Sequence, residues 1–198
     1  MANEHQLKQT RGKLEQSKKY ELLTNDTIEL GGGVTLFRIK ALISFGNVEK
    51  GELGGYVEKE DNLCHSGNAW VTGNARVYSN ARVFGDAWVT GDAWVTGNAK
   101  VYGNARVYSN ADVSGNAKVY DNALVSGYAK VTDNARVYSN ARVFGDAKVY
   151  GDAWVTDNAW VTGNAKVTGN AEVTSIAWVT GNAKVTGNAK VSGGELLN

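Results

Sequence analysis

The chain has 198 residues, with 21 Lys and Arg against 20 Asp and Glu and a formal net charge of +1. That length suits one sizeable domain with an appendage, and the charge balance makes no case for a nucleic-acid or membrane partner. No apolar run approaches the roughly eighteen residues a membrane helix needs. Cys64 is the only cysteine, so no disulfide framework or thiolate metal cluster is available. Two counts stand out, 24 Gly and no Pro, and both follow from the repeats described below.

Residues 1–19 are polar and charged and end in Lys18 and Lys19. They lack the hydrophobic segment of a signal peptide, so a cytoplasmic protein is expected. We read them as a polar tail, with a short helix as the alternative. From Tyr20 the pattern changes. Ile28 and Leu30 precede Gly31-Gly32-Gly33, after which Phe37, Ile39, Ala41, Ile43 and Phe45 alternate onto one face of a strand. Residues 20–66 are therefore expected to form a small β cap, hairpin-like, over the start of the array that follows. The stretch KKYELL…TLFRIKALISFGNVEKGELGGYVEKEDNL resembles the leader of uncharacterised hexapeptide-repeat proteins of phages and prophages, over roughly residues 18–66. The resemblance implies a phage-related source, hence the host cytoplasm, and brings no assigned activity or functional residues.

From Gly67 to Ser192 the chain divides without remainder into hexads, from GNAWVT to GNAKVS. The third position is always Ala, Ala69 through Ala189, and the fifth always Val, Val71 through Val191. Ala-x-Val has period two, so both side chains point to one face of a short strand. The next two positions, usually Gly-Asn or Gly-Asp, tolerate positive φ and tight bends. Each hexad is thus one strand and one corner, and identical corners coil the chain. A helix is excluded by a turn residue every six positions and by β-branched Val.

This pattern resembles the left-handed β-helix of hexapeptide-repeat proteins, in which an aliphatic residue follows a small residue two positions earlier. The resemblance covers residues 67–192 and implies an all-β, three-sided parallel solenoid. Three hexads per coil make seven coils and a rod of roughly 34 Å. Buried Val would contribute on the order of 1.5–3 kcal/mol per side chain before entropy is subtracted. Extending the hexads backward once, to Asp61–Ser66, puts Leu63 in the Ala column and His65 in the Val column. Residues 193–198 leave Leu196 and Leu197 as a short C-terminal cap folded over the last coil, a thin cover that invites stacking against a second copy.

The outward positions come in two main flavours. Trp70, Trp88, Trp94, Trp154, Trp160 and Trp178 all precede Val and are followed by Thr. Eight aromatic residues follow Val and sit across it from Lys or Arg. Counting by eighteen assigns walls. One wall stacks Arg82, Lys100, Lys118 and Arg136 beside Phe84, Tyr102, Tyr120 and Tyr138, a basic column next to an aromatic one. Another stacks Trp70 on Trp88 and Trp160 on Trp178. Such ladders stabilise any parallel β-helix, and exposed aromatic surface also marks interfaces. A longer repeat, GNARVYSNA at 73–81 and 103–111 and DNARVYSNA at 133–141, has a spacing that sends each copy to a different wall.

Catalytic chemistry finds little support. Hexapeptide acyltransferases need a His general base and a cofactor cleft, whereas this chain has only His5 in the tail and His65 beside the cap, the latter read as structural. Zinc chemistry of the carbonic-anhydrase type would need several His, and adjacent Cys64 and His65 make a poor metal pair. The Thr72, Thr90, Thr162 and Thr180 column is interrupted, which argues against ice binding. A DNA mimic would be strongly acidic. No enzyme activity, cofactor or metal is expected. The sequence predicts a phage-type binding or scaffold protein engaging a host or defence protein, or a second copy through the C-terminal end or aromatic walls. The alternative is a binder of nucleic acid or anionic nucleotides at the basic and aromatic columns, by stacking and salt-sensitive cation contacts.

Overall fold

The computed structural model describes residues 18–197. Every hexad from Trp70 to Val191 supplies a two-residue strand ending in Val, and these strands stack in parallel into three sheets. The first wall carries Val77, Val95 and their successors to Val185; the second runs from Val83 to Val191; the third runs from Val71 to Val179. The result is an all-β parallel solenoid of three sides and about eight coils, a rod of roughly 38 Å at the usual strand spacing. Ala and Val columns are buried from Ala69 to Val185, because period two turns both inward at every strand. Each backbone N–H beside Val reaches a carbonyl one coil on, as in Thr90 to Val107 at 2.9 Å.

The corners show why Pro is absent and Gly is not obligatory. The first corner residue has positive φ throughout, and at Asp121, Asp133 and Asp157 a non-glycine residue holds φ of 58–59°. Their carboxylates accept the corner N–H of the next coil, from Ser139 at 3.3 Å and from Gly151 and Ser175 at 3.0 Å. That hydrogen bond offsets the left-handed backbone strain. The second corner residue builds amide ladders, such as Asn80, Asn98, Asn116, Asn134 and Asp152 joined side chain to side chain at 3.0–3.3 Å.

The cap joins the first wall. Strands β1 (Tyr20–Leu30) and β2 (Val34–Ala41) pair antiparallel, β2 pairs antiparallel with β3 (Leu53–Val57), and β3 runs parallel into the coil strands. Gly54 is required at this entry, since a Cβ there would lie 2.6 Å from the Val71 carbonyl oxygen. Ile39, Ala41, Val48, Tyr20 and Trp70 close the end of the core.

Several expectations change here. Coiling starts before residue 67: Val57 pairs with Val77, and Leu63 bridges Val83. Leu63 therefore occupies the Val column, not the Ala column, and His65 lies outside both. The reason is a corner two residues longer between Leu63 and Val71, which the backward extension by six could not register. This added coil raises the count from seven to about eight. The expected alternating face is reduced to Ile39 and Ala41: Leu36 is buried and Phe37 only half-buried, because β2 shifts register between Arg38 and Lys40. Ile43 is exposed, and Phe45 turns back to bridge Val48 across Gly46 at φ 50°. Residues 1–17 of the expected tail lie outside the described residues. Lys18 and Lys19, however, are anchored: Lys18 Nζ meets Glu60 at 2.6 Å, and Lys19 is buried. At the other end, Leu196 does not fold over the core. Gly194, at φ 77°, makes one more corner, and Glu195–Leu196 adds a strand to the third wall opposite Trp178–Val179, leaving Leu196 and Leu197 exposed.

Candidate functional site

The outer faces of the second and third walls hold most of the candidate residues. On the second wall Arg82, Lys100, Lys118 and Arg136 stand in register. None of the four makes an ion pair among the described residues. Beside them Phe84, Tyr102, Tyr120 and Tyr138 stack with centroids 4.8–4.9 Å apart and planes within 3°. Burial between neighbours pushes the Tyr102 phenol up and, with the adjacent tyrosines, pushes that of Tyr120 up to about 12. The ring faces are thus turned to one another along the rod. Within the stack, edges and hydroxyls are what the rings turn outward, so little ring face is presented for base stacking.

The third wall is less uniform. Trp160 and Trp178 stack at 4.9 Å and 7°, and Trp178 is 46% exposed. At the other end Trp70 and Trp88 pair in register, but Trp70 is not a surface residue. It is fully buried, edge-on to Tyr20 and Phe45 at 6.3 and 5.4 Å. The cap covers the coil end at this rung, so Trp70 serves the core and offers nothing to a ligand.

One contact recurs between coils. Where Arg-Val-aromatic is followed one coil later by Trp, the guanidinium lies over the indole and the aromatic ring meets it edge-on. Arg76 and Arg136 lie 5.1 Å from Trp94 and Trp154, and Arg142 lies 5.0 Å from Trp160. Tyr78, Tyr138 and Phe144 meet those indoles at 5.9–6.4 Å. These are cation–π and edge-to-face geometries, and counting Arg and Trp by eighteen would have revealed them. The same count finds a second basic column, Lys130, Lys148, Lys166 and Lys184 on the first wall.

Titratable groups gather under the cap. Lys19 Nζ donates to the Ala69 and Gly67 carbonyls at 2.7 and 3.3 Å and lies 4.6 Å from the Phe45 ring. Burial brings its pKa down to about 8 despite Cys64 and Asp86 nearby. His65 stacks on Tyr20 at 4.4 Å, and its Nδ1 accepts the Lys19 N–H at 3.1 Å. Burial lowers its pKa, with the charges of Lys19 and Lys18 acting the same way and Glu60 opposing them. Cys64 Sγ lies 3.1 Å from Ser66 Oγ. Among the described residues no cluster of three His, Cys, Asp or Glu could hold a metal ion, and no helix is long and apolar enough to cross a membrane.

A family model described as YdcK Beta solenoid repeat matches residues 75–91, just under one coil. The match agrees with the parallel β-solenoid and takes in one strand of each wall, Arg76–Val77, Arg82–Val83 and Trp88–Val89. No curated protein matches the chain.

Proposed function

We propose that this chain is a non-catalytic binding scaffold of phage type, which holds aromatic and basic side chains at fixed heights on a stiff rod for a protein partner. The observation that carries the reading is the unbroken register from Trp70 to Lys190, one outward pair per strand. Side chains already held by ladders and cation–π contacts lose little freedom on binding. Trp94, Trp154 and Trp178, exposed by 39, 38 and 46%, are anchors of the type that dominates binding energy. The leader's resemblance to phage proteins favours a host protein, including a defence component, over a second copy.

The test is a tagged pull-down from host lysate, followed by binding of the purified candidate to wild type and to a W94A/W154A/W178A variant. One enriched protein that binds the wild type and loses at least about tenfold affinity for the variant supports the reading. Recovery of nothing, or equal binding by both proteins, overturns it. Light scattering separates the second copy, which would give a dimer dependent on the same tryptophans. Binding of nucleic acid through the second wall is the weaker alternative, because its ring faces are engaged with one another.

A further inference from the structure

Five Arg-Val-aromatic units face outward on this rod, and four meet an aromatic ring in the next coil. Three of those rings are the indoles of Trp94, Trp154 and Trp160; the fourth is Tyr102, stacked on Phe84 beside Arg82. The fifth unit is Arg106-Val107-Tyr108 on the third wall. One coil on, its neighbours are Leu124 and Ser126, neither of which has a ring.

The surroundings are built around this gap. Arg106 and Tyr108 are exposed, and Ser126 lies low on the wall. One coil further, Arg142 and Phe144 resume the pattern. Reading along the rod, the positions before Val run Trp88, Arg106, Leu124, Arg142, Trp160, and those after Val run Thr90, Tyr108, Ser126, Phe144, Thr162. Two arginines and two rings thus flank a depression. Tyr108 and Phe144 stand two rungs apart, roughly 9.6 Å, which is the room one further ring takes in the second-wall stack. A cavity of about 200 Å³ opens between Tyr108 and Phe144 over Leu124 and Ser126, and one of about 420 Å³ adjoins it across Tyr108 and Leu124, reaching Arg106, Trp88 and Asn47. Neither arginine makes an ion pair among the described residues, and the outward positions of this wall hold no acid from Trp70 to Thr180.

We propose that the depression over Leu124 binds a small planar aromatic anion, whose ring takes the place that Trp occupies beside the other arginines and whose charged group pairs with Arg106 or Arg142. The ring would lie under the Arg106 guanidinium and against the edge of Tyr108, as the internal indoles do. The anionic group would complete a charge-assisted hydrogen bond that the chain leaves unmade. Nucleoside monophosphates and aromatic carboxylates share this chemistry. An aromatic side chain from a protein would bring the ring but no negative charge for the two arginines, which lack an ion pair among the described residues. The site does not depend on the protein-partner reading and uses none of the exposed tryptophans that reading invokes.

Calorimetric titration of the full chain with adenosine and guanosine 5′-monophosphates and with indole-3-carboxylate distinguishes the two sources. Inorganic phosphate and neutral adenosine serve as controls. At least one aromatic anion should bind about tenfold or more tighter than either control. L124W supplies the internal ring and should weaken that binding by at least about tenfold while keeping or raising the melting temperature. R106Q should weaken it with the fold intact, and salt should weaken it further. Equal affinity of L124W and wild type, or no binding of any aromatic anion at millimolar concentration, overturns the proposal. If partner capture is retained by L124W while ligand binding is lost, the two surfaces act separately.

Discussion

The cap and the rod are both built of β-strands, yet they are held together by opposite logic. In the rod a residue's environment depends on its place in the hexad: Ala and Val are inside, the neighbours of Val are outside, and every coil repeats the last. In the cap, environment depends on contacts far along the chain. Lys19 reaches Gly67 and Ala69, and Tyr20 donates its hydroxyl to the Leu63 and Glu60 carbonyls at 2.7 and 2.9 Å. Repetition supplies the stability of the rod through many equivalent neighbours, whereas the cap relies on a few individual side chains that have no replacement.

The sharpest way to break the comparison is to make the same substitution in both regions. Trp70 and Trp178 share the local sequence Ala-Trp-Val-Thr. Trp70→Ala opens a cavity under the cap and should cost about 3–5 kcal/mol in denaturant unfolding. Trp178→Ala loses one stacked face and should cost about 1 kcal/mol. Equal costs would mean that the cap does not bury Trp70 as described.

Proton linkage separates the regions next, because the buried nitrogen bases belong to the cap. His65 is lowered from its usual 6.5, so the unfolded chain binds its proton first as pH falls. The His65 contribution should then be fully present above about pH 6.5 and be lost below it. Glu60, held low chiefly by Lys18, adds loss in the same direction at more acidic pH. His65→Gln should flatten the first part of that decline. On the alkaline side Lys19 titrates near 8 in the fold and near 10.5 unfolded, so stability should rise with pH across that window until tyrosine ionisation opposes it. Tyr20, raised by burial, reverses the trend above about pH 10 because the unfolded phenol loses its proton first. Lys19→Met should remove the rise. A flat profile between pH 8 and pH 10 in the wild type would contradict a buried Lys19.

The smallest effect probes the rod alone. Asp133→Ala keeps the strained corner but loses the hydrogen bond to Gly151 N–H, and should cost about 1 kcal/mol. Asp133→Gly relieves the strain as it removes the bond, so its cost should be nearer zero. Thermal melts of the two variants check the order, and a larger loss for glycine would sink the compensation argument.

The rod was legible from the sequence because period six leaves each side chain one available place. The second-wall columns and the Trp160–Trp178 stack follow from counting alone. Trp70 was misplaced because its local sequence is identical to that of an exposed Trp, and only the distant Phe45 and Tyr20 decide its burial. Leu63 was misplaced because a corner two residues longer leaves no local mark. The one clue was that Val57 and Leu63 are themselves six apart. The Arg and Trp contacts were readable in principle, but only by comparing side chains across coils instead of along strands.

The motif that recurs every 30 residues in a lattice whose period is 18 acts as a vernier. Each copy lands two faces further on, and three steps are needed before a copy returns to its starting wall. Identical words are therefore read in different company: Arg76 and Arg136 find a Trp waiting one coil on, and Arg106 finds a Leu. Duplication on such a lattice generates new neighbours without inventing new motifs, so a change in binding surface can arise from copy number and phase alone.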